Sequence, residues 1–255
     1  QGETSKPVAF QNPGSYQWRG DRREKDAFAA LNSPGGEMPR EPGKEKPGTM
    51  GPIRPIDFLR RVAADATASS ETIRKATQGY RASAEYPPAN RLAEDLRLVA
   101  AMIGAGLPTR VFYVSLGGFD THANQRGTHD NLMKTLSTGV AAFLKDLRAR
   151  SLLDRVLVLA FSEFGRRVKE NGSRGTDHGV AAPMFLLGTG LRGGLHGKHP
   201  DLDRLVDGDL AMTTDFRQVY ATVLDGWLGA PSEKVLGERV EGLPLIGRGE
   251  RVRAF

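Results

Sequence analysis

Apolar positions recur at helical spacing in three stretches of the chain and form unbroken runs in three others. Ile56, Leu59, Val62 and Ala63 share one helix face, and Leu92, Leu96, Val99 and Ile103 share another. Pro87–Pro88 separates these two segments, and Gly104–Gly106 supplies a stop after the second. Residues 131–150 predict the longest helix, with Leu132, Leu136, Val140, Phe143 and Leu147 on one side. A last helix capped by Thr214 or Asp215 is expected to run to Leu228. The runs VFYVSL (residues 111–116), VLVLAF (156–161) and PMFLL (183–187) read as buried strands. Strands that are apolar throughout and alternate with helices argue for an α/β fold whose parallel sheet is covered on both faces.

Residues 1–55 follow a different rule. The first fifty residues hold 7 Gly and 6 Pro and lack apolar periodicity, so they bury too little to offset ordering and are expected to be extended. The division expected is therefore an extended segment over 1–55 and an α/β domain over 56–255. At 255 residues the chain has ample material for a core. No apolar run approaches the roughly 18 residues of a membrane span. The net charge of +6 is spread among acidic residues rather than gathered into a basic stripe with aromatics, which argues against nucleic-acid binding. The absence of Cys removes disulfides, thiolate metal sites and Cys nucleophiles together.

Chemistry collects where the predicted strands end, the usual place for ligands in open α/β sheets. Gly117-Gly118-Phe119-Asp120-Thr121-His122 follows the first strand and Ser162-Glu163-Phe164-Gly165-Arg166-Arg167 the second. Gly175-Thr176-Asp177-His178-Gly179 precedes the third. Asp120, His122, Glu163, Asp177 and His178 are thus the candidate metal ligands. Carboxylates mixed with imidazoles suit Zn²⁺, Mn²⁺ or Fe²⁺, and a carboxylate-rich set also suits Ca²⁺ or Mg²⁺. Arg166 is the first candidate for holding an anion, with Arg167 and Lys169 adding charge. Each of these residues also has an ordinary reading, as a helix cap, a loop tie or a solvated charge. His129 is read as a structural or surface group, and His196 and His199, in the Gly-rich loop GLHGKHP, as lesser candidates for ligation. Ser115 and Ser162 lack the G-x-S-x-G elbow, so no serine hydrolase is implied.

GGFDTHANQ, SEFGRRVKENGSRGTDHG, GGLHGKHP and TTDFRQVYATVLDGWLG occur here in order. Together they resemble the C-terminal half of the bacterial domain-of-unknown-function 1501 family (DUF1501), sulfatase-like members of the alkaline phosphatase superfamily. The resemblance is strong over about residues 53–247 and extends to SKPVAFQNPGSYQWRGD near the start. It implies an alkaline-phosphatase-like, mostly parallel sheet flanked by helices and incomplete on its N-terminal side. It also implies export, to the periplasm or beyond, and a divalent metal (Zn, Mn, Ca or Mg) acting on phosphate or sulfate esters, with an anionic small molecule or glycan ester as substrate. By the same resemblance, Asp120 and His122 match the Asp…His pair after one strand, and His178 matches the last histidine ligand. The pattern departs in three ways. The first pair is D-x-H rather than D-x-x-x-H. Glu163-Phe164 stands where Asp-His is usual. The half that would carry the first metal Asp and the nucleophile lies outside the match, so a missing half or an oligomeric partner would have to complete the sheet.

Two functions follow as expectations. The first is a metal-dependent hydrolase of phosphate or sulfate esters. The second is a non-catalytic exported scaffold or binding module that keeps the fold without turnover.

Overall fold

Residues 69–247 are described by the structure, a computed structural model. The extended segment expected over 1–55 and the helix expected at Ile56–Ala63 lie outside them. Two compact units divide the chain. The described part of the first is a helical stretch over 69–77, the turn that follows it to Tyr80, and Ala105–Leu107. Within it, Ser70 and Ile73 are buried.

The second unit is built on two helices, α1 (Arg91–Gly104) and α2 (Gln125–Ala149). Asn90 starts α1: its carboxamide oxygen accepts the Ala93 N–H at 3.0 Å, the N-cap bond that satisfies an orphan donor of the first turn. Its amide nitrogen donates to the Thr135 carbonyl at 2.8 Å, so one side chain both begins α1 and ties it to α2. Leu92, Leu96 and Val99 are buried as their spacing predicts. They pack toward α2, whose Ala142, Phe143 and Leu147 are buried in turn. Burial of a side chain such as Leu147, with 0% exposure, stabilises the fold by about 1.5–3 kcal/mol. Asp146 beside it is equally buried. Its carboxylate accepts from the Ser83 N–H at 2.7 Å, the Tyr86 hydroxyl at 3.0 Å and Arg150 Nε at 3.3 Å, so the charge is paired rather than stranded.

The strands form two small antiparallel ladders. β1 (Val158–Ala160) pairs with β4 (Phe185–Leu187), Val158 opposite Leu187 and Ala160 opposite Phe185. β2 (Gly165–Glu170) pairs with β3 (Thr176–Gly179), Arg166 opposite His178. The fold is therefore mixed α/β, but no parallel pairing occurs among the described residues. VFYVSL departs furthest from expectation. It has no ladder partner among the described residues, and Val111 and Tyr113 are 68% and 79% exposed while Phe112, Val114 and Leu116 are half-buried. It is an extended segment rather than a buried strand.

Toward the C-terminus Asp215 caps α3 (Phe216–Val223) by accepting the Arg217 N–H, as the sequence predicts. The helix continues as a π-turn over Leu224–Leu228 and ends at Gly229 with φ 62°, a left-handed conformation suited to glycine. A short α4 (Ser232–Leu236) follows. Its first residue donates to the Asp225 carboxylate from both its N–H (2.8 Å) and its hydroxyl (2.7 Å). Among the described residues no helix is long and apolar enough to cross a membrane.

Candidate metal centre

Asp120 and His122 flank Thr121, which is buried and accepts the Arg166 guanidinium on its carbonyl. With the middle residue turned inward, the D-x-H spacing puts its two outer side chains on the same exposed side. His178 comes from β3. Asp120 Oδ1 lies 2.9 Å from His122 Nε2 and 2.7 Å from His178 Nε2, and the two Nε2 atoms are 3.3 Å apart. Among the described residues these three are the group able to share a metal ion. Oxygen and nitrogen ligands lie about 2.0–2.2 Å from Zn²⁺, so any two on a tetrahedral ion are roughly 3.3–3.6 Å apart. The imidazole pair already has that spacing, and the exposed Asp120 carboxylate needs to give by only about half an ångström. The donor set therefore fits a divalent ion.

Supporting residues fix the orientation of these groups. His122 Nδ1 lies 3.3 Å from Asp177 Oδ1. A proton on Nδ1 donated to that carboxylate leaves Nε2 with its lone pair facing Asp120 and His178, the carboxylate–histidine arrangement common around metals. Asn171 Nδ2 in turn donates to Asp177 Oδ1 at 3.2 Å and to the His122 carbonyl at 3.0 Å. The Phe164 ring stacks on His178, with centroids 3.8 Å apart and planes 11° from parallel. Arg166 Nε donates to Thr176 Oγ1 at 3.0 Å and Nη1 to Asp120 Oδ1 at 3.2 Å, while Nη2 donates to the carbonyls of Thr121 and Thr176. Four of its five N–H donors are thus engaged within the protein, so Arg166 braces the loop. The His178 hydrogen bond, aided by Arg166 and the nearby imidazoles, holds the Asp120 carboxyl below its ordinary pKa, against a smaller opposing effect of burial. Asn171 and then His122 hold Asp177 down in the same way. Both carboxyls are therefore anionic across the neutral range.

The backbone sets the distance between the two halves of the site. The tip of the β2–β3 hairpin is clasped to the start of α2, with the Asn124 N–H donating to the Ser173 carbonyl at 3.0 Å and the Gln125 N–H to that of Arg174 at 2.9 Å. Gly175 is buried in this clasp, and a Cβ there would lie 2.2 Å from the His122 carbonyl carbon. Gly179, directly after His178, is similarly confined by the buried Asp209, which also accepts the Val180 N–H at 3.1 Å.

Of the five ligands expected, three converge, and Asp177 stands behind one of them. Glu163 is exposed on the turn before β2 and is not part of the group. His196 and His199 instead meet the carbonyls of Arg192 and Pro200. The supporting roles of Asn171 and Phe164 were missed. The Asn171-Gly172 dipeptide is a hairpin signal that could have found the first.

A family model described as "Protein of unknown function (DUF1501)" matches residues 1–237. The chain belongs to the DUF1501 family. No curated protein and no solved structure matches it. Within this DUF1501 chain, the segments that carry the family resemblance contribute the three converging groups: GGFDTHANQ supplies Asp120 and His122, and SEFGRRVKENGSRGTDHG supplies His178.

Proposed function

We propose that this DUF1501 chain is a metal-dependent hydrolase of phosphate or sulfate esters, and that it belongs to an alkaline-phosphatase-like fold whose sheet is flanked by its helices. The convergence of Asp120 Oδ1, His122 Nε2 and His178 Nε2 carries this reading. Structural zinc sites are closed by four protein ligands, whereas three ligands on an exposed surface leave a position for substrate. Two imidazoles and one carboxylate favour Zn²⁺, Mn²⁺ or Fe²⁺ over Ca²⁺ or Mg²⁺, which take all-oxygen shells.

When bound, such an ion supplies Lewis-acid polarisation of an ester oxygen and lowers the pKa of water. The protein's own part is positional. Asp177 keeps the His122 proton on Nδ1, and Arg166 fixes Asp120 through the backbone of Thr121. The Phe164 ring covers one face of His178 and excludes water there. Export to the periplasm belongs to the same proposal and rests on the family resemblance.

The test is metal content of the full chain by mass spectrometry, with hydrolysis of p-nitrophenyl phosphate and p-nitrophenyl sulfate. About one equivalent of metal and measurable turnover, both lost in His178→Ala, support the reading; unchanged turnover in that variant refutes the site. A second reading is a metal-binding module without turnover. It is favoured by Phe164, a ring with no donor atom stacked where a further imidazole would otherwise approach. Metal binding without hydrolysis of either ester would select it.

A further inference from the structure

Asn171 and Gly172 lie in the turn of the β2–β3 hairpin, and of the asparagines in the chain Asn171 alone precedes a glycine. Its Oδ1 accepts the Ser173 N–H at 2.9 Å and the Gly175 N–H at 3.1 Å, while Nδ2 donates to the His122 carbonyl and to Asp177 Oδ1. The carboxamide thus uses both donors and both lone pairs, half on the hairpin and half on the groups behind the metal ligand His122. Gly172 is the opposite case. It is exposed, its N–H has no partner among the described residues, and a Cβ there would meet nothing within 4 Å. Nearby Arg174 has φ 61°, costly for a residue other than glycine, so hydrogen bonds rather than backbone preference hold the tip closed.

Asparagine is chemically labile, most of all before glycine, where no Cβ shields the following backbone nitrogen. Attack of Gly172 N on Asn171 Cγ forms a C–N bond and a cyclic imide, and Nδ2 leaves as ammonia with the proton given up by Gly172. Water then opens the imide at either carbonyl, giving aspartate or isoaspartate. The closed hairpin opposes the first step, because Cγ turns toward Gly172 N only after the carboxamide gives up its four hydrogen bonds. An opened hairpin has no such restraint. Aspartate places a carboxylate oxygen where Nδ2 stood, 3.0 Å from the His122 carbonyl and 3.2 Å from Asp177 Oδ1. Three acceptors then meet without a donor, and two of them are like charges. Isoaspartate also lengthens the backbone of the tip. We propose that Asn171 is a deamidation site gated by closure of the hairpin, so that a chain left without metal converts irreversibly into one that binds it poorly. The gating rests on reading Asp120, His122 and His178 as a metal centre; the reaction at Asn171 does not.

The experiment incubates the full chain in mildly alkaline buffer with EDTA or with zinc a hundredfold above Kd, and follows each asparagine by peptide mass spectrometry. Asn171 is expected to convert fastest in EDTA and to be slowed by zinc up to about 100-fold, the linkage limit at that concentration. Asn171→Asp should bind zinc about 10-fold or more weakly with unchanged helical circular dichroism. Gly172→Ala, whose Cβ has open space, should bind zinc as wild type does and resist conversion in EDTA. An Asn171 that stays intact in EDTA while the urea-unfolded chain converts, equal rates with and without zinc, or wild-type zinc affinity in Asn171→Asp each overturns the proposal. Zinc uptake with an inert Asn171 overturns the gate and leaves the metal centre standing, whereas a chain that takes up no zinc overturns both.

Discussion

Replacing Gly175 with alanine tests whether the hairpin tip sets the spacing of the metal ligands. A Cβ at this position would lie 2.2 Å from the His122 carbonyl carbon, 2.3 Å from its oxygen and 2.6 Å from the Ala123 nitrogen. Ordinary contact begins at 3.4 Å, so the two segments must part by 3.4 − 2.2 = 1.2 Å along the tightest line. All three atoms are backbone, so no change of rotamer relieves the overlap. Asp120 and His122 ride on one of these segments and His178 on the other, and the separation therefore falls between the ligands themselves. Metal–ligand distances tolerate about ±0.2 Å, and disturbing what orients the ligands of a metal costs about 10- to 100-fold in affinity. Gly175→Ala is accordingly expected to weaken zinc binding by about 10- to 100-fold, measured by competition with a chromophoric chelator. The α1–α2 pair packs on other contacts, so the helical circular dichroism signal should persist. An alanine variant that binds zinc within about threefold of wild type would refute the argument that this contact fixes the site.

Asp177→Asn should lower zinc affinity about 10-fold and Asp177→Ala up to about 100-fold, the usual cost of losing a group that orients a ligand; a loss as complete as that of His122→Ala would make Asp177 a ligand. Leu147→Ala should destabilise the fold by about 2–5 kcal/mol in urea unfolding, and a change under about 1 kcal/mol would mean the α1–α2 seam is not the core. The Asp215 carboxyl is held below its ordinary pKa of 3.8, chiefly by the Arg217 side chain. A depressed carboxyl contributes stability above its unfolded value and loses it as pH falls through its folded value. The stability gap between wild type and Asp215→Asn should therefore be full at pH 7 and shrink below about pH 4, and a gap constant between pH 7 and 2.5 would exclude the ion pair as its source.

Helix content was legible because it is local. The spacing of Leu92, Leu96 and Val99 found the buried face of α1, and Asp215 marked the start of α3. The start of α2 was placed six residues late, at Asn131 instead of Gln125, because its first turns, Arg126-Gly127-Thr128-His129-Asp130, have no apolar member. What holds those turns is a set of backbone bonds to Ser173 and Arg174, partners that no periodicity announces. The β2–β3 hairpin is absent from the predicted elements for a similar reason, since GRRVKE exposes four of its six residues and lacks the alternation of a half-buried strand. VFYVSL was read as buried because composition reports what a segment is able to pair with, not whether a neighbour is present. At the site, residue type found Asp120, His122 and His178. The demotion of Asp177 to an orienting role and the exclusion of Glu163 depend on distances across the hairpin, which sequence does not contain.

The three donors of the centre have a thermodynamic consequence besides chemistry. Asp120 and His178 are 58 residues apart in the chain and meet only when the hairpin is clasped to α2. An ion that binds this arrangement and not the unfolded chain is linked to folding, stabilising it by about 2.7 kcal/mol at a concentration a hundredfold above Kd. The weakest-held part of such a protein would be the hairpin clasp itself, so chelation should first loosen residues 171–178 rather than the α1–α2 pair. The centre would then act as a reversible fastener, making the order of the loop that carries Asp120 and His122 depend on the metal in its surroundings.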